Sequence, residues 1–111
     1  MIKLADNEKI LHEGKANMFN IFILRSGQLY ITNKRIVFEG NGMNMGKEYA
    51  SVDLSDVLSY TNSLTVTLFR LFIPIPNAIK IVSKKGDNFK FRVYNREKWL
   101  KTIATIIAEN K

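Results

Sequence analysis

The side chains that most often perform catalysis are sparse in this sequence. His12 is the one histidine among the 111 residues, and there is no cysteine. Asp53 and Asp56 lie three residues apart with no basic or metal-binding residue patterned near them. Metal-ligand spacings, phosphate-binding glycine loops and nucleophile elbows are missing from the sequence. We therefore expect a protein that is not an enzyme and that uses no metal and no cofactor.

The charged side chains favour binding instead of catalysis. The chain carries 17 Lys and Arg against 10 Asp and Glu, a formal net charge of +7. Residues 80–98 hold seven of these cations against Asp87 and Glu97. Such charge attracts nucleic acid or an anionic membrane, and each basic residue close to the membrane contributes about 1 kcal/mol. The alternative is a solvated strand face on a protein that is simply basic.

The alternation over Phe89–Arg92 distinguishes between nucleic acid and a membrane as the partner. Aromatic and basic side chains alternate here, as in strands that stack on bases. If Phe89 and Phe91 faced solvent, Lys90 and Arg92 would point into the core, where unpaired cations are prohibitively costly. We therefore place the rings inside and expect nucleic acid not to be a partner. The basic candidates for lipid binding are Lys80, Lys84, Lys85, Lys90 and Arg92.

The apolar segment Leu68–Pro76 is a second candidate contact. It ends the most apolar run of the chain, which at 13 residues is shorter than the roughly 20 of a membrane-spanning helix. Pro74 and Pro76 argue against a central strand. The segment should therefore be buried in its own domain, buried in a partner or inserted into lipid. The candidate residues for a lipid wedge are Phe69, Phe72 and Ile73.

The overall composition fits one small domain in a reducing compartment. With 46% hydrophobic and 24% charged residues, 111 residues suffice for one core, so we expect a single domain over 1–111. The N-terminal residues include early acids and no continuous apolar core, which argues against a signal peptide. The absence of cysteine is compatible with the cytoplasm. We expect a cytoplasmic protein with peripheral attachment to a membrane as an option.

Two hairpins can be predicted from the alternation of apolar residues. In Gly27–Gly40, GQLYITNKRIVFEG, a shared core face requires Ile31 opposite Ile36 and leaves Asn33-Lys34 as a two-residue turn. The outer face then carries Tyr30, Thr32, Arg35 and Val37. We expect the charges at this turn to add only to the general basic field. Ala78–Val93 predicts a second hairpin with an odd, three-residue loop drawn from residues 85–88.

The remaining elements complete a mainly β arrangement. Further strands are predicted over residues 9–13, 17–25 and 48–54 and from about residue 57. Asn95 is a suitable N-cap for a helix over about 95–109. Its apolar stripe consists of Trp99, Leu100, Ile103, Ile106 and Ile107. About seven strands followed by one amphipathic helix indicate an α+β fold, a strongly bent sheet or barrel with the helix at one end.

Three stretches resemble the GRAM and bacterial pleckstrin-homology-like domain family. Gly27–Phe38 is similar to the family's G-x-L-Y-[apolar]-T-N-x-R-[apolar]-x-F strand pair, and Pro76–Ile81 to its Pro-Asn entry into a late strand. Phe91 and Asn95–Trp99 resemble the F…N-R-x-x-W passage into a closing helix. The likeness covers about residues 8–108. It implies a seven-stranded pleckstrin-homology-like barrel closed by a C-terminal helix, a fold that serves phosphoinositide binding, peptide binding and scaffolding.

The same resemblance implies where a lipid headgroup would bind. A pleckstrin-homology phosphoinositide site usually needs a Lys on the first strand and an Arg-x-Arg on the second. Lys15 and Arg25 are the candidates here, and Gly27 stands where another Arg would be needed. We therefore expect loosely specific electrostatic attachment to anionic lipid. The alternative is a protein-protein interaction or self-association module that uses Leu68–Pro76.

Overall fold

The computed structural model describes residues 2–19, 24–40, 50–67 and 73–109, and these form seven strands and one helix. The elements are β1 (Ile10–Phe19), β2 (Leu24–Thr32), β3 (Arg35–Gly40), β4 (Ala50–Asp53), β5 (Val57–Thr67), β6 (Ile73–Ser83), β7 (Asn88–Val93) and α1 (Arg96–Glu109), with a 3-10 turn at Leu54–Asp56. The strands form one sheet in the order β4-β3-β2-β1-β7-β6-β5, in which every pairing is antiparallel. The predicted mainly β fold with a C-terminal helix is confirmed.

The sheet bends sharply around a single main core. Phe38 on β3 and Phe91 on β7 are three strands apart, which in a flat sheet would separate them by about 14 Å. Their ring centroids are only 5.7 Å apart. Trp99 and Ile103 of α1 are buried in the same core, which also receives Leu54 from the 3-10 turn. The curvature therefore turns one face of the sheet into the interior and leaves the other as the outer face.

The first hairpin has the predicted register. Ile31 lies opposite Ile36 and Leu29 opposite Phe38, and all four are buried. The two residues between β2 and β3 are Asn33 and Lys34. A shift by one residue would have turned this whole apolar set outward, so the apolar pattern fixes the register.

The outer face of this hairpin is covered by another part of the chain. Tyr30 and Val37 are buried in a second apolar cluster with Ile2, and Ile10 packs against it. The cover is the N-terminal segment, residues 2–9. The hairpin tip holds it in place: Asn33 Nδ2 donates to the carbonyl of Asn7 over 2.9 Å, and its Oδ1 accepts the amide of Lys9 over 2.8 Å.

A buried ion pair fastens the N-terminal segment to the hairpin. Arg35 Nε donates to Glu8 Oε2 over 2.8 Å, and the Glu8 side chain has no exposed surface. Thr32 Oγ1 donates to the same carboxylate over 2.7 Å, and the amide of Ala5 donates to Oε1 over 2.8 Å. Arg35 also donates to the carbonyl of Lys3. The expectation that Arg35 only adds to the general basic field is therefore wrong, because its charge pairs with Glu8 and fastens the N-terminal segment.

Two strand boundaries differ from the predicted ones. Residues 10–19 form one strand and β2 begins at Leu24, whereas separate strands had been predicted over 9–13 and 17–25. Residues 20–23 of the second prediction lie outside the described residues. Gly14 lies inside β1 for a packing reason. A Cβ at this position would lie 3.1 Å from Cζ2 of Trp99, so the strand continues under the indole ring.

The prolines of the apolar segment lie within β6, near the start of that strand. Pro74 is opposite Val66 in the pairing of β5 with β6, and a register shift falls between Ser63 and Thr65, where β6 carries Pro76. The described pairing of β6 with β7 begins only at Ala78. Both prolines therefore occupy the part of β6 with one described neighbour, and one of them lies at a bulge, where a missing amide hydrogen is tolerated.

The second hairpin and the helix follow the sequence pattern. Ile79 lies opposite Phe91 and Ile81 opposite Phe89, as the odd loop requires. The helix begins directly after Asn95, whose φ of +56° lies in the left-handed region that Asn tolerates. The observed stripe matches the predicted one: Trp99, Ile103 and Ile106 are buried, and Leu100 and Ile107 pack against the core. In the described part of the chain, no helix is long and apolar enough to cross a membrane.

Replacing Glu8 by Gln should destabilise the protein and change its response to acid. Burial raises the pKa of Glu8, but the hydrogen bonds from Arg35, Ala5 and Thr32 and the charge of Arg35 lower it from 4.5 to about 2. The folded protein therefore gains stability above pH 4.5 and loses it as the pH falls towards 2. We expect Glu8→Gln to lower the free energy of unfolding by about 3 kcal/mol at pH 7.

The difference between wild type and Glu8→Gln should shrink when urea unfolding is measured from pH 5 down to pH 2.5. Asp6→Asn is the matched control, since it removes an exposed negative charge from the same segment and should change stability by less than about 0.5 kcal/mol. Equal effects of the two substitutions, or a difference that does not depend on pH, would contradict the buried pair as the anchor.

Candidate functional site

The outer face of the last hairpin carries the predicted basic residues. Ile79, Ile81 and Phe91 are buried, so the alternating positions between and beside them point outward. Lys80 is exposed, and Lys90 and Arg92 are half-buried. The structure therefore places these three cations on one side of the sheet, as the alternation predicted.

The register brings two of these cations directly together. Lys80 on β6 lies opposite Lys90 on β7, and Arg92 lies opposite Ala78 one pair further along the same face. Directly opposed side chains have Cβ atoms about 5 Å apart, and like charges in such a pair repel each other. The fold thus maintains a concentration of positive charge that weakens its own sheet.

The two remaining basic candidates lie in a well-defined turn. Lys84 and Lys85 are exposed between β6 and β7. The amide of Ser83 donates to the carbonyl of Asp87 over 2.9 Å, and the amide of Asp87 donates to Ser83 Oγ over 3.1 Å. By this pairing the loop is Lys84–Gly86, and Gly86 has a φ of +96°, so the predicted three-residue loop is shifted by one position. The amide of Lys84 also donates to the carbonyl of Asp56, which ties the turn to the 3-10 segment.

Arg92 is linked to the neighbouring strands through Asn17 on β1. Asn17 lies opposite Arg92 on one side and opposite Ser26 on the other. With its amide oriented to satisfy both neighbours, its nitrogen donates to Ser26 Oγ over 2.8 Å and its oxygen accepts from Arg92 Nε over 2.9 Å and also from Nη2. Sequence reasoning missed Asn17 and Ser26. The available signal was the polar side chain of Asn17 next to the apolar Met18 within a strand.

The positions named by the resemblance do not form one headgroup site. Lys15 is exposed on the outer face, opposite Gln28, whereas Arg25 lies opposite Met18, which belongs to the core. The two cations therefore project from opposite faces of the sheet. At Gly27, a Cβ would overlap the carbonyl oxygen of Glu39 and come within 2.8 Å of Phe38 Cζ. An arginine could not occupy position 27 without moving β3.

The apolar wedge residues are described only in small part. Phe69 and Phe72 lie outside the described residues. Ile73 begins β6, where its backbone pairs with Thr67. The wedge stays a prediction from sequence.

His12, of the residue type most often used in catalysis, takes part in packing. His12 packs against Trp99 with ring centroids 4.2 Å apart in an edge-on arrangement. Burial, and then the positive charge of Lys98, lower the pKa of His12. Among the described residues, no group of three or more His, Cys, Asp or Glu is placed to hold a metal ion.

The solved structures most similar in shape include pleckstrin-homology domains. The C-terminal domain of an unknown protein from Leishmania infantum has a TM-score of 0.72 at 16% identity, covering 93% of this chain and 87% of that one. The N-terminal PH domain of human ARAP2 has a TM-score of 0.63 at 14% identity, covering 98% and 86%. The Slm1 PH domain in complex with phosphoserine has a TM-score of 0.56 at 14% identity, covering 87% and 91%. At these identities the likeness shows the fold alone.

Comparison of sequences assigns the family. No curated protein matches this chain. The sequence model of the GRAM domain matches residues 1–99, which is most of the chain and includes both hairpins and the start of α1. The motifs of the first hairpin and of the entry into α1 fall within this match. The chain therefore belongs to the GRAM domain family.

Proposed function

We propose that this protein is a non-enzymatic binding module that associates peripherally with anionic membrane lipid. The contact surface is the basic face, which we define as Lys80, Lys84, Lys85, Lys90 and Arg92. The observation that carries the proposal is the Lys80–Lys90 pair. A sheet gains nothing in stability from two directly opposed cations. Departures from such local rules are expected at functional sites.

The arrangement of the basic face suits a membrane better than a small pocket. Two exposed lysines project from a turn at its end, and the other three cations lie along one side of β6 and β7. Each basic residue near an anionic membrane contributes about 1 kcal/mol, so five together suffice for reversible binding. The Slm1 PH domain, which has a similar fold at a TM-score of 0.55 and 12% identity, has also been solved in complex with inositol 4-phosphate. That complex supports an anionic ligand for this fold.

Cosedimentation with vesicles tests the proposal. We expect the protein to pellet with vesicles of phosphatidylcholine and phosphatidylserine, not with phosphatidylcholine alone, and to be released by salt because the charges are exposed. Replacing Lys80 by Gln should weaken binding about fivefold, which corresponds to about 1 kcal/mol.

Lys101→Gln is the matched control for this experiment. It removes the same charge from an exposed position on α1, an element that contributes no residue to the basic face, and should have a much smaller effect. Equal pelleting with both vesicle types, or none with either, would refute the proposal.

Lys90→Glu should raise the stability of the protein while it weakens membrane binding. The new carboxylate would face Lys80 and replace repulsion by attraction, so we expect a gain of roughly 0.5 kcal/mol in the free energy of unfolding. The change of two charges should weaken binding to acidic vesicles by about 2 kcal/mol. Lys101→Glu makes the same charge change four residues from Glu97 on α1 and should bring no gain in stability. Loss of stability in Lys90→Glu, with binding intact, would contradict this assignment.

The apolar wedge is the second part of the proposal and rests on sequence. Phe69, Phe72 and Ile73 would insert into the bilayer while the basic face binds the headgroups, and a contact with a second protein is the alternative. Phe72→Asp distinguishes the two. We expect the variant to be a monomer like the wild type by light scattering and to bind acidic vesicles at least about fivefold more weakly, since an apolar side chain is lost from lipid. A wild-type dimer that Phe72→Asp dissociates would favour self-association instead.

A further inference from the structure

A polar groove crosses the outer face of β7, β1 and β2 beside the basic face. Its cavity volume is about 420 Å³, and the described residues that line it include no acidic side chain. The backbone of Ala16, Gly27 and Val93 forms its floor, since Ala16 and Val93 turn their side chains into the core. The polar side chains around it are Lys15, Asn17, Ser26, Gln28, Arg92 and Tyr94.

The strand register arranges these side chains in two adjacent rows. Arg92, Asn17 and Ser26 lie side by side on β7, β1 and β2. Lys15 lies two residues from Asn17 on β1, on the same outer face, and opposite Gln28. Cations from two different strands therefore flank one depression, with hydroxyl and amide groups between them.

The hydrogen bonds of Asn17 set the direction of the donors. Because its amide nitrogen donates to Ser26 Oγ, that oxygen acts as the acceptor and its own proton can point elsewhere. Because its amide oxygen accepts from Arg92, the guanidinium is held in a fixed plane against β1. A planar guanidinium in a fixed orientation is suited to phosphate oxygens.

Two described acidic residues border the groove: Glu13, two residues before Lys15 on the same face of β1, and Glu39 on β3. Glu39 lies opposite Gln28 on β3, two strands away from Lys15. Burial, the negative charges of Glu39 and Glu13 and the hydrogen bond that Tyr30 donates to Glu39 raise the pKa of the Tyr30 phenol. On the β7 side the groove continues into the basic face, and Tyr94 at its rim is 91% exposed. The field in the groove is therefore positive towards β7.

We propose that this groove is a binding subsite for a phosphate monoester. Such a group carries a charge of about −1.5 to −2 and three acceptor oxygens, which match two cations and several neutral donors. A phosphodiester offers one charge and fewer free oxygens. As the site of a lipid headgroup, the subsite rests on the proposed membrane function, and it would give the basic face a preference for phosphomonoester lipids over other acidic lipids.

The subsite can be tested without a membrane. We expect glycerol 3-phosphate, titrated at constant ionic strength into the ¹⁵N-labelled protein, to shift the amide signals of residues 15–17, 26–28 and 92–94 in a saturable way. Asn17→Asp should abolish saturation, because the new carboxylate pairs with Arg92 and repels phosphate. Lys85→Gln removes one unit of net charge, as Asn17→Asp does, but lies outside the groove and should leave saturation in place. Ser26→Ala should weaken binding about threefold or more through loss of one charge-assisted hydrogen bond.

Vesicles distinguish a lipid headgroup from a soluble phosphate. Phosphatidylcholine vesicles containing either phosphatidic acid or phosphatidylserine are adjusted to equal surface potential, and the ratio of the two affinities is measured. A ratio well above one that falls to about one in Asn17→Asp, but not in Lys85→Gln, identifies a headgroup site. Saturable glycerol 3-phosphate binding with a ratio of one identifies a site for a soluble phosphate monoester.

The outcomes separate this inference from the proposed function. The subsite would be refuted by two results together. The protein would bind both acidic vesicles with equal affinity, and the amide shifts would stay linear in glycerol 3-phosphate concentration or centre on Lys84 and Lys85. The proposed membrane function would remain intact in that case. Failure to bind any acidic vesicle would refute the membrane function, and the glycerol 3-phosphate titration would still decide the subsite.

Discussion

The alternation of side chains across one bent sheet is the constraint on which the rest of the structure depends. Phe91 packs against Phe38 inside the curve, at a centroid distance of 5.7 Å. With that ring fixed in the core, Lys90 and Arg92 must project from the outer face. The pairing of β6 with β7 then places Lys80 opposite Lys90. The basic face is thus a consequence of how the core is filled, which sets these two like charges directly against each other.

The outer face of the sheet has two parts, one covered by the N-terminal segment and one that bears the basic face. Over β2 and β3 it is covered by the N-terminal segment, which the buried Glu8–Arg35 pair holds against Tyr30 and Val37. Over β6 and β7 it bears the basic face, and the polar groove lies between the two parts. A buried ion pair adds little net stability but fixes one arrangement of the chain. Here it removes an apolar surface from solvent and leaves the basic part of the sheet as the accessible one.

Sequence reasoning predicted those features that depend on local periodicity. The registers at Ile31 and Ile79, the stripe on α1 and the outward cations all follow from alternation or helical spacing. Features that depend on long-range contacts could not be predicted in this way. The burial of Arg35 requires Glu8, which is 27 residues away, and Asn17 meets Arg92 only because β1 pairs with β7. Likewise, the need for a glycine at position 14 follows only from the contact of Trp99 with β1.

The central claim is that the basic face meets an anionic membrane, and lysine footprinting tests it most directly. Lysines are acetylated in the presence and absence of acidic vesicles, and each site is quantified by mass spectrometry. The account predicts protection at Lys80, Lys84, Lys85 and Lys90, with Lys98 and Lys101 on α1 modified at an unchanged rate. Equal protection of the helix lysines, or no protection on the basic face while the protein is bound to vesicles, would contradict it.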